Sequence, residues 1–190
     1  MSDGTIHLAH RSGSPTGVGA STTGLWVDTN GELNLTQSSG SSKSIGKDIG
    51  ARAHNNANQA ISHNTWTSIG LNSERWDTDN IHDNSTNNSR LTCKTAGKYI
   101  IVGQIEWEAR ENGDRYMRIY LNNETAIAST VLSTPDGSIT DRLYPIVTIY
   151  NLSVNDYVEL QVFQTSGDPL NSVFSVNKVP EFMMQMIAEV

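Results

Sequence analysis

The second half of the chain is written in short runs of alternating apolar and polar residues. Tyr99-Ile100-Ile101-Val102-Gly103-Gln104-Ile105-Glu106-Trp107-Glu108 begins as a continuous apolar run and ends alternating. Ile105 and Trp107 fall on one face, Gln104, Glu106 and Glu108 on the other. This pattern predicts a strand that leaves the core for a half-exposed position. Tyr116 to Leu121 alternates with Met117, Ile119 and Leu121 inward, and Asn122-Asn123 supplies the turn after it. Tyr144 to Tyr150 and Tyr157 to Thr165 form a further pair, the second with Val158, Leu160 and Val162 inward. Phe182 to Ala188 closes the chain as a strand behind Pro180, a residue tolerated before a strand but not inside a central one. No segment has a convincing helical period, so residues 51–190 read as an all-β antiparallel sandwich or jelly roll.

Residues 1–50 read differently. Large apolar residues are sparse, and the run Gln37-Ser38-Ser39-Gly40-Ser41-Ser42 cannot bury enough surface to offset its ordering entropy. Within this extended arm, Leu25-Trp26-Val27-Asp28, the dipeptide Asn30-Gly31 and the alternating Leu33 and Leu35 spell a short β-hairpin. A lone hairpin is marginal in water, so this one is expected to dock on a partner through Leu25, Trp26, Val27, Leu33 and Leu35.

Composition narrows the function classes. Of the 190 residues only 36% are hydrophobic and 17% charged, and the balance is rich in Asn, Ser, Thr and Gly, which favour turns and half-exposed strands over helices. A net charge of −7 with 13 scattered basic residues argues against nucleic-acid binding, which needs a clustered basic face. No apolar stretch approaches the roughly 20 residues of a membrane helix, and the N-terminus lacks the pattern of a signal peptide, so no membrane insertion is expected and the chain reads as made in the cytosol. The single cysteine, Cys93, excludes an internal disulfide and reads as a small buried side chain.

Several ordered segments carry a family resemblance. Arg75-Trp76-Asp77-Thr78-Asp79-Asn80-Ile81-His82-Asp83 is followed by Ser89-Arg90-Leu91-Thr92-Cys93-Lys94-Thr95-Ala96-Gly97-Lys98-Tyr99-Ile100. Then come Gly113-Asp114-Arg115, Ile119-Tyr120-Leu121-Asn122, Leu152 to Leu160 and Pro180-Glu181-Phe182. Together they resemble the complement C1q-like, tumour-necrosis-factor-like jelly rolls, and in particular the versions carried by bacteriophages and bacteria. The likeness covers residues 51–190 and implies a ten-stranded jelly roll that associates as a homotrimer. Where the family has Gly-Asp after a turn, this chain has Asn155-Asp156, and Asn tolerates a positive φ well enough to keep the turn. No collagen repeat precedes the domain. Independently, Trp66, Trp76, Trp107 and Tyr99 supply more aromatic surface than one small core needs, which suits burial in the core or between subunits.

The chemistry-bearing clusters are weak by comparison. Asp77, Asp79 and Asp83, with Glu74, Asn80 and Asn84, have the oxygen chemistry calcium prefers, but lack the glycine and terminal glutamate of an EF-hand loop, so Asx turns are the favoured reading. His7 and His10 have no third ligand nearby, and His82 reads as a structural hydrogen-bonding group. No Gly-x-Ser-x-Gly elbow occurs, and Gly40 to Asp48 departs from a phosphate loop in spacing. Glu106, Glu108, Asp114 and Glu159 read as outward-facing acids rather than a hydrolytic pair. The expectation is a protein that is not an enzyme and needs no cofactor. The resemblance implies a structural virion protein of a bacteriophage: a trimeric capsid decoration protein or head fibre, fastened by residues 1–50 to the major capsid protein or another virion protein. The alternative is a receptor-binding tail-fibre tip that recognises a host surface glycan or protein.

Overall fold

The computed structural model describes residues 10–11, 24–29, 33–36, 42–45, 48–133, 142–176 and 180–189. The chain divides into two compact units, Met1–Asp48 and Ile49–Val190. The Asn30-Gly31 turn, His7 and Gln37 to Ser41 lie outside the described residues.

In the first unit, β1 (His10–Arg11), β2 (Gly24–Asp28), β3 (Leu33–Thr36) and β4 (Ser42–Ile45) form a four-stranded sheet in that order. The hairpin expected from Leu25 to Leu35 is the antiparallel β2–β3 pair, with Leu25 opposite Leu35 and Val27 opposite Leu33. It is not alone. Ser42 to Ile45 adds to β3, and His10–Arg11 adds to β2 in parallel, through backbone bonds that a polar sequence makes as readily as an apolar one. That is why hydrophobic patterning gave no sign of them.

The second unit holds β5 (Gly50–His54), β6 (Gln59–Ile61), β7 (Thr67–Ser68), β8 (Ser73–Asp77), β9 (Arg90–Thr92), β10 (Gly97–Trp107), β11 (Asp114–Leu121), β12 (Thr125–Ser133), β13 (Arg142–Leu152), β14 (Tyr157–Gln164), β15 (Leu170–Ser172) and β16 (Glu181–Glu189). These twelve strands form a seven-stranded sheet, β6-β15-β10-β16-β5-β8 with β13 on the other side of β10, and a five-stranded sheet, β12-β11-β14-β7 with β9 also on β14. The two sheets make a jelly-roll sandwich with antiparallel ladders throughout. The count exceeds the ten expected because the long connections themselves make short ladders, such as the two residues of β7 against β14.

Period-two alternation builds the core. Tyr99, Ile101, Ile105 and Trp107 of β10 point inward from the seven-stranded sheet, as do Phe182 and Met184 of β16. They meet Met117 and Ile119 of β11 and Val158, Leu160 and Val162 of β14, all 2% exposed or less. Gly103 falls on the inward face of β10. A Cβ there would stand 2.7 Å from Leu160 Cδ1 and 3.2 Å from Ile146 Cγ2, so the glycine is the space Leu160 occupies. The turns rest on asparagine. Asn64, Asn80, Asn87, Asn122, Asn123 and Asn155 all have φ between 51° and 73°, the left-handed region this side chain tolerates. Asn155 in particular keeps the turn that glycine makes elsewhere, at φ 73°.

Leu160→Ala should cost about 3 kcal/mol or more in chemical denaturation, because Gly103 offers no atoms to refill the cavity. A loss under about 1 kcal/mol would mean the two sheets do not pack through this seam.

Candidate functional site

The seven-stranded sheet has a second apolar face, turned away from the core. In the β10–β13 ladder Ile100 lies opposite Ile149 and Val102 opposite Val147. Across β10–β16, Ile100 faces Gln185 and Val102 faces Met183, and Met183 in turn faces Arg52 of β5, which faces Trp76 of β8. Directly opposed residues share a face, so these pairs make one continuous band across five strands. At its edge Leu143, Val147 and Ile149 are 49%, 60% and 59% exposed. That is unusual for aliphatic side chains in a regular strand.

The far end of the band is charged. Glu181, 2% exposed, accepts from Arg52 Nε at 2.8 Å and from Arg52 Nη2, while Arg75 Nε donates to its other oxygen. One carboxylate thus holds two guanidiniums, each about a quarter to a third exposed. His54 shares this end, facing Glu181 in the ladder, and its Nδ1 is buried with no partner. Burial, then the Arg75 charge, pushes its pKa below the ordinary 6.5, with Glu181 opposing and Arg52 adding to the fall. Gly50 lets the strands close here. A Cβ at Gly50 would lie 2.7 Å from the Met184 carbonyl and 2.9 Å from the Trp76 ring.

The aromatic residues singled out from sequence separate into two groups. Tyr99 and Trp107 lie in the core at 0% and 2% exposure. Trp76, 36% exposed, lies on the outward band just described, whereas Trp66, 38% exposed, packs on the outward face of the other sheet against Phe163 and Tyr116. Alternation shows which residues share a face but not which face is the core, so the four could not be sorted from sequence. In the first unit Trp26 is 7% exposed, its indole N–H donating to Thr36 Oγ1 at 2.9 Å. Leu25, Val27, Leu33 and Leu35 sit on the opposite face of the hairpin, with Leu25 44% exposed.

The acidic loop closes on itself. Asp77 accepts from the backbone N–H groups of Asp79, Ile81 and His82, at 2.8 to 3.1 Å. Asp79 accepts from Thr95 Oγ1, and Asp83 accepts from Ser85 and Thr86, which lowers its pKa to about 2. Asp77 and Asp83 cap their own turns while Asp79 ties the loop to Thr95, and among the described residues no three potential ligands converge on a metal site. His82 bridges Glu74 and the Asn88 carbonyl, at 2.9 and 3.1 Å. Glu106 and Glu159 lie on different sheets and make no catalytic pair. Cys93 is fully buried, and burial raises its thiol pKa, the reverse of an activated nucleophile. Among the described residues no helix is long and apolar enough to cross a membrane.

No family model and no curated protein matches the sequence. Solved structures do match in fold. The Eiger TNF of S. frugiperda aligns with a TM-score of 0.58 at 15% identity, over 75% of this chain and 94% of that one. Murine APRIL gives 0.57 at 6% identity, over 74% and 100%. The globular domain of zebrafish complement 1qA gives 0.51 at 13% identity, over 75% and 99%. The fold is therefore the TNF/C1q-like jelly roll.

His54 supplies a pH test. Its pKa is lowered in the folded protein, so the unfolded chain takes up the proton first. Its contribution is intact above 6.5 and lost as pH falls below 6.5 toward the folded value. The melting temperature should fall over that window, and His54→Asn should flatten the fall. An unchanged slope in the variant would remove His54 from the account.

Proposed function

We propose that the protein is a homotrimeric structural protein of a bacteriophage particle, a capsid decoration protein or head fibre, fastened to the particle by its N-terminal unit and acting without catalysis. The observation that carries the reading is the outward apolar band on the seven-stranded sheet. Its most exposed members line β13, a sheet edge, while its flatter part runs across β10 and β16. An edge that packs onto a face is a heterologous contact, and such contacts close into rings when the rotation allows. Three copies joined edge to face would cover both parts of the band.

The virion setting is supported by the Arg75 to Asp83 segment, which resembles the phage-borne versions of this jelly roll. Attachment is supported by the face of the first unit formed by Leu25, Val27, Leu33 and Leu35. These residues pair across one hairpin and remain half-exposed or exposed. A few apolar anchors of this kind suffice to hold a subunit on a capsid protein. Display on a tail fibre with a receptor-binding role is the rival setting.

Two experiments test the proposal. The double variant Val147→Lys with Ile149→Lys should convert the trimer to a folded monomer in sedimentation equilibrium, and a persistent trimer would place the interface elsewhere. Deletion of residues 1–48 should abolish binding to purified capsids while leaving a soluble trimer. Full occupancy by the truncated chain would refute attachment through the first unit, and loss of host adsorption by particles lacking the protein would favour the tail-fibre setting.

A further inference from the structure

The face of the five-stranded sheet turned away from the core carries a different surface. Tyr116, Arg118 and Tyr120 alternate outward along β11, and in the ladder Tyr116 faces Phe163 and Arg118 faces Gln161. Trp66, just ahead of β7, covers this row. Its ring centroid lies 5.3 Å from Phe163 and 6.5 Å from Tyr116, and Tyr116 meets Phe163 edge-on at 5.5 Å. The guanidinium of Arg118 is held between two rings, 4.0 Å from the Trp66 centroid and 3.9 Å from that of Tyr120. Beside this cluster, toward β12, is a cleft of about 380 Å³ lined by Trp66, Tyr116, Arg118, Ser129 and Val131 among others. That volume lies within the range of small-ligand clefts.

Charge narrows what could fill it. Among the described residues, Arg118 is the one ionisable cation lining the cleft. Its Nε and Nη2 both donate to Gln161 Oε1, at 2.9 and 2.7 Å, and no carboxylate pairs with it among the described residues. The neighbouring acids are engaged elsewhere. Glu159 accepts from Ser89 at 2.6 Å and lies 3.7 Å from Arg90, and Asp114 accepts from the Tyr116 hydroxyl at 3.1 Å. Among the described residues, nothing accepts from Nη1 or from the second Nη2 hydrogen of Arg118. The stacked rings and Gln161 fix their direction before any ligand arrives, which lowers the entropic cost of binding.

We propose that this cleft binds a saccharide bearing a carboxylate, with Trp66 and Tyr116 as the stacking surface and Arg118 as the anion's partner. The axial C–H bonds of a pyranose carry slight positive charge and suit the negative face of an aromatic ring. A sugar carboxylate matches the planar donor fork of a guanidinium, and Ser129, opposite Arg118 in the β11–β12 ladder, offers a hydroxyl to the ring substituents. A neutral apolar ligand would leave Arg118 without a counter-charge, and a simple inorganic anion would leave the aromatic wall bare. The inference goes beyond the proposed virion role and holds for either setting on the particle.

The test is calorimetric titration of the full chain with trigalacturonate, trimannuronate and sialyllactose, each against its methyl ester, and with citrate as a charge lacking the ring. At least one acidic sugar should bind, with its ester and citrate weaker by about tenfold or more. Arg118→Gln should lower that affinity by a similar factor. Ser129→Trp, which fills the cleft from an exposed edge-strand position and leaves every residue of the aromatic cluster in place, should abolish binding with the melting temperature kept. The proposal is overturned if no acidic sugar binds, if the ester or citrate binds as well, or if both variants retain the parent affinity. Because binding is read in solution, none of these results depends on attachment to a particle.

Discussion

The alternation of β10 sets the rest of the structure. Eleven residues, Gly97 to Trp107, pair along one side with β13 over their whole length and along the other with β16 and β15. With a side-chain period of two, one face of this strand must be buried in the sandwich and the other turned away from it. Tyr99, Ile101, Ile105 and Trp107 take the first face, and Ile100 and Val102 take the second. A one-residue slip would exchange Gly103 for Val102 or Gln104 beneath Leu160, where no side chain fits, so the register is fixed by volume as well as by polarity. Apolar residues on both faces are also why β10 begins as a continuous hydrophobic run. That run records a core on one side and an outward apolar band on the other.

Much of the second unit was legible for this reason. The long strands β10, β11, β14 and β16 were readable because their alternation spans eight or more residues. Short elements such as β6, β7 and β15 were not, since two or three residues carry no measurable period. Their pairing is decided by where the long strands place the connections. The same limit separated Trp107 from Trp66 and Trp76, because a tryptophan in or beside a short ladder has no phase to read. Tyr116-Arg118-Tyr120 against Phe163 and Gln161 did have a legible phase. Its outward face carries no mark of a site in the pattern, because tyrosine, arginine and glutamine are ordinary residues on the solvated side of a strand.

The two outer faces of the sandwich differ in kind. On the seven-stranded sheet the apolar band is mostly aliphatic, with Trp76 at its far side, and Glu181 there gives both Arg52 and Arg75 a carboxylate partner. Such a face is suited to flat burial against protein, since each of these guanidiniums already has a carboxylate to bond. On the five-stranded sheet the apolar atoms are mainly aromatic, and Arg118 at the centre bonds Gln161 but no carboxylate among the described residues. That face asks for a counter-charge, and its rings already occupy fixed positions. A small polar ligand suits the second face in the way a protein surface suits the first.

Pro145 lies within β13 and faces Gln104 of β10. Proline is accepted in sheets at edges, where the N–H it lacks would have pointed outward. An eleven-residue uncovered edge would otherwise be a template for an incoming strand, and strand addition has no natural end. With a donor missing from the middle of that row, the edge is a poor backbone partner while its side chains remain sticky. Any association through this edge would thereby be steered from main-chain pairing, which grows into fibrils, to side-chain packing, which can stop at a finite number of copies.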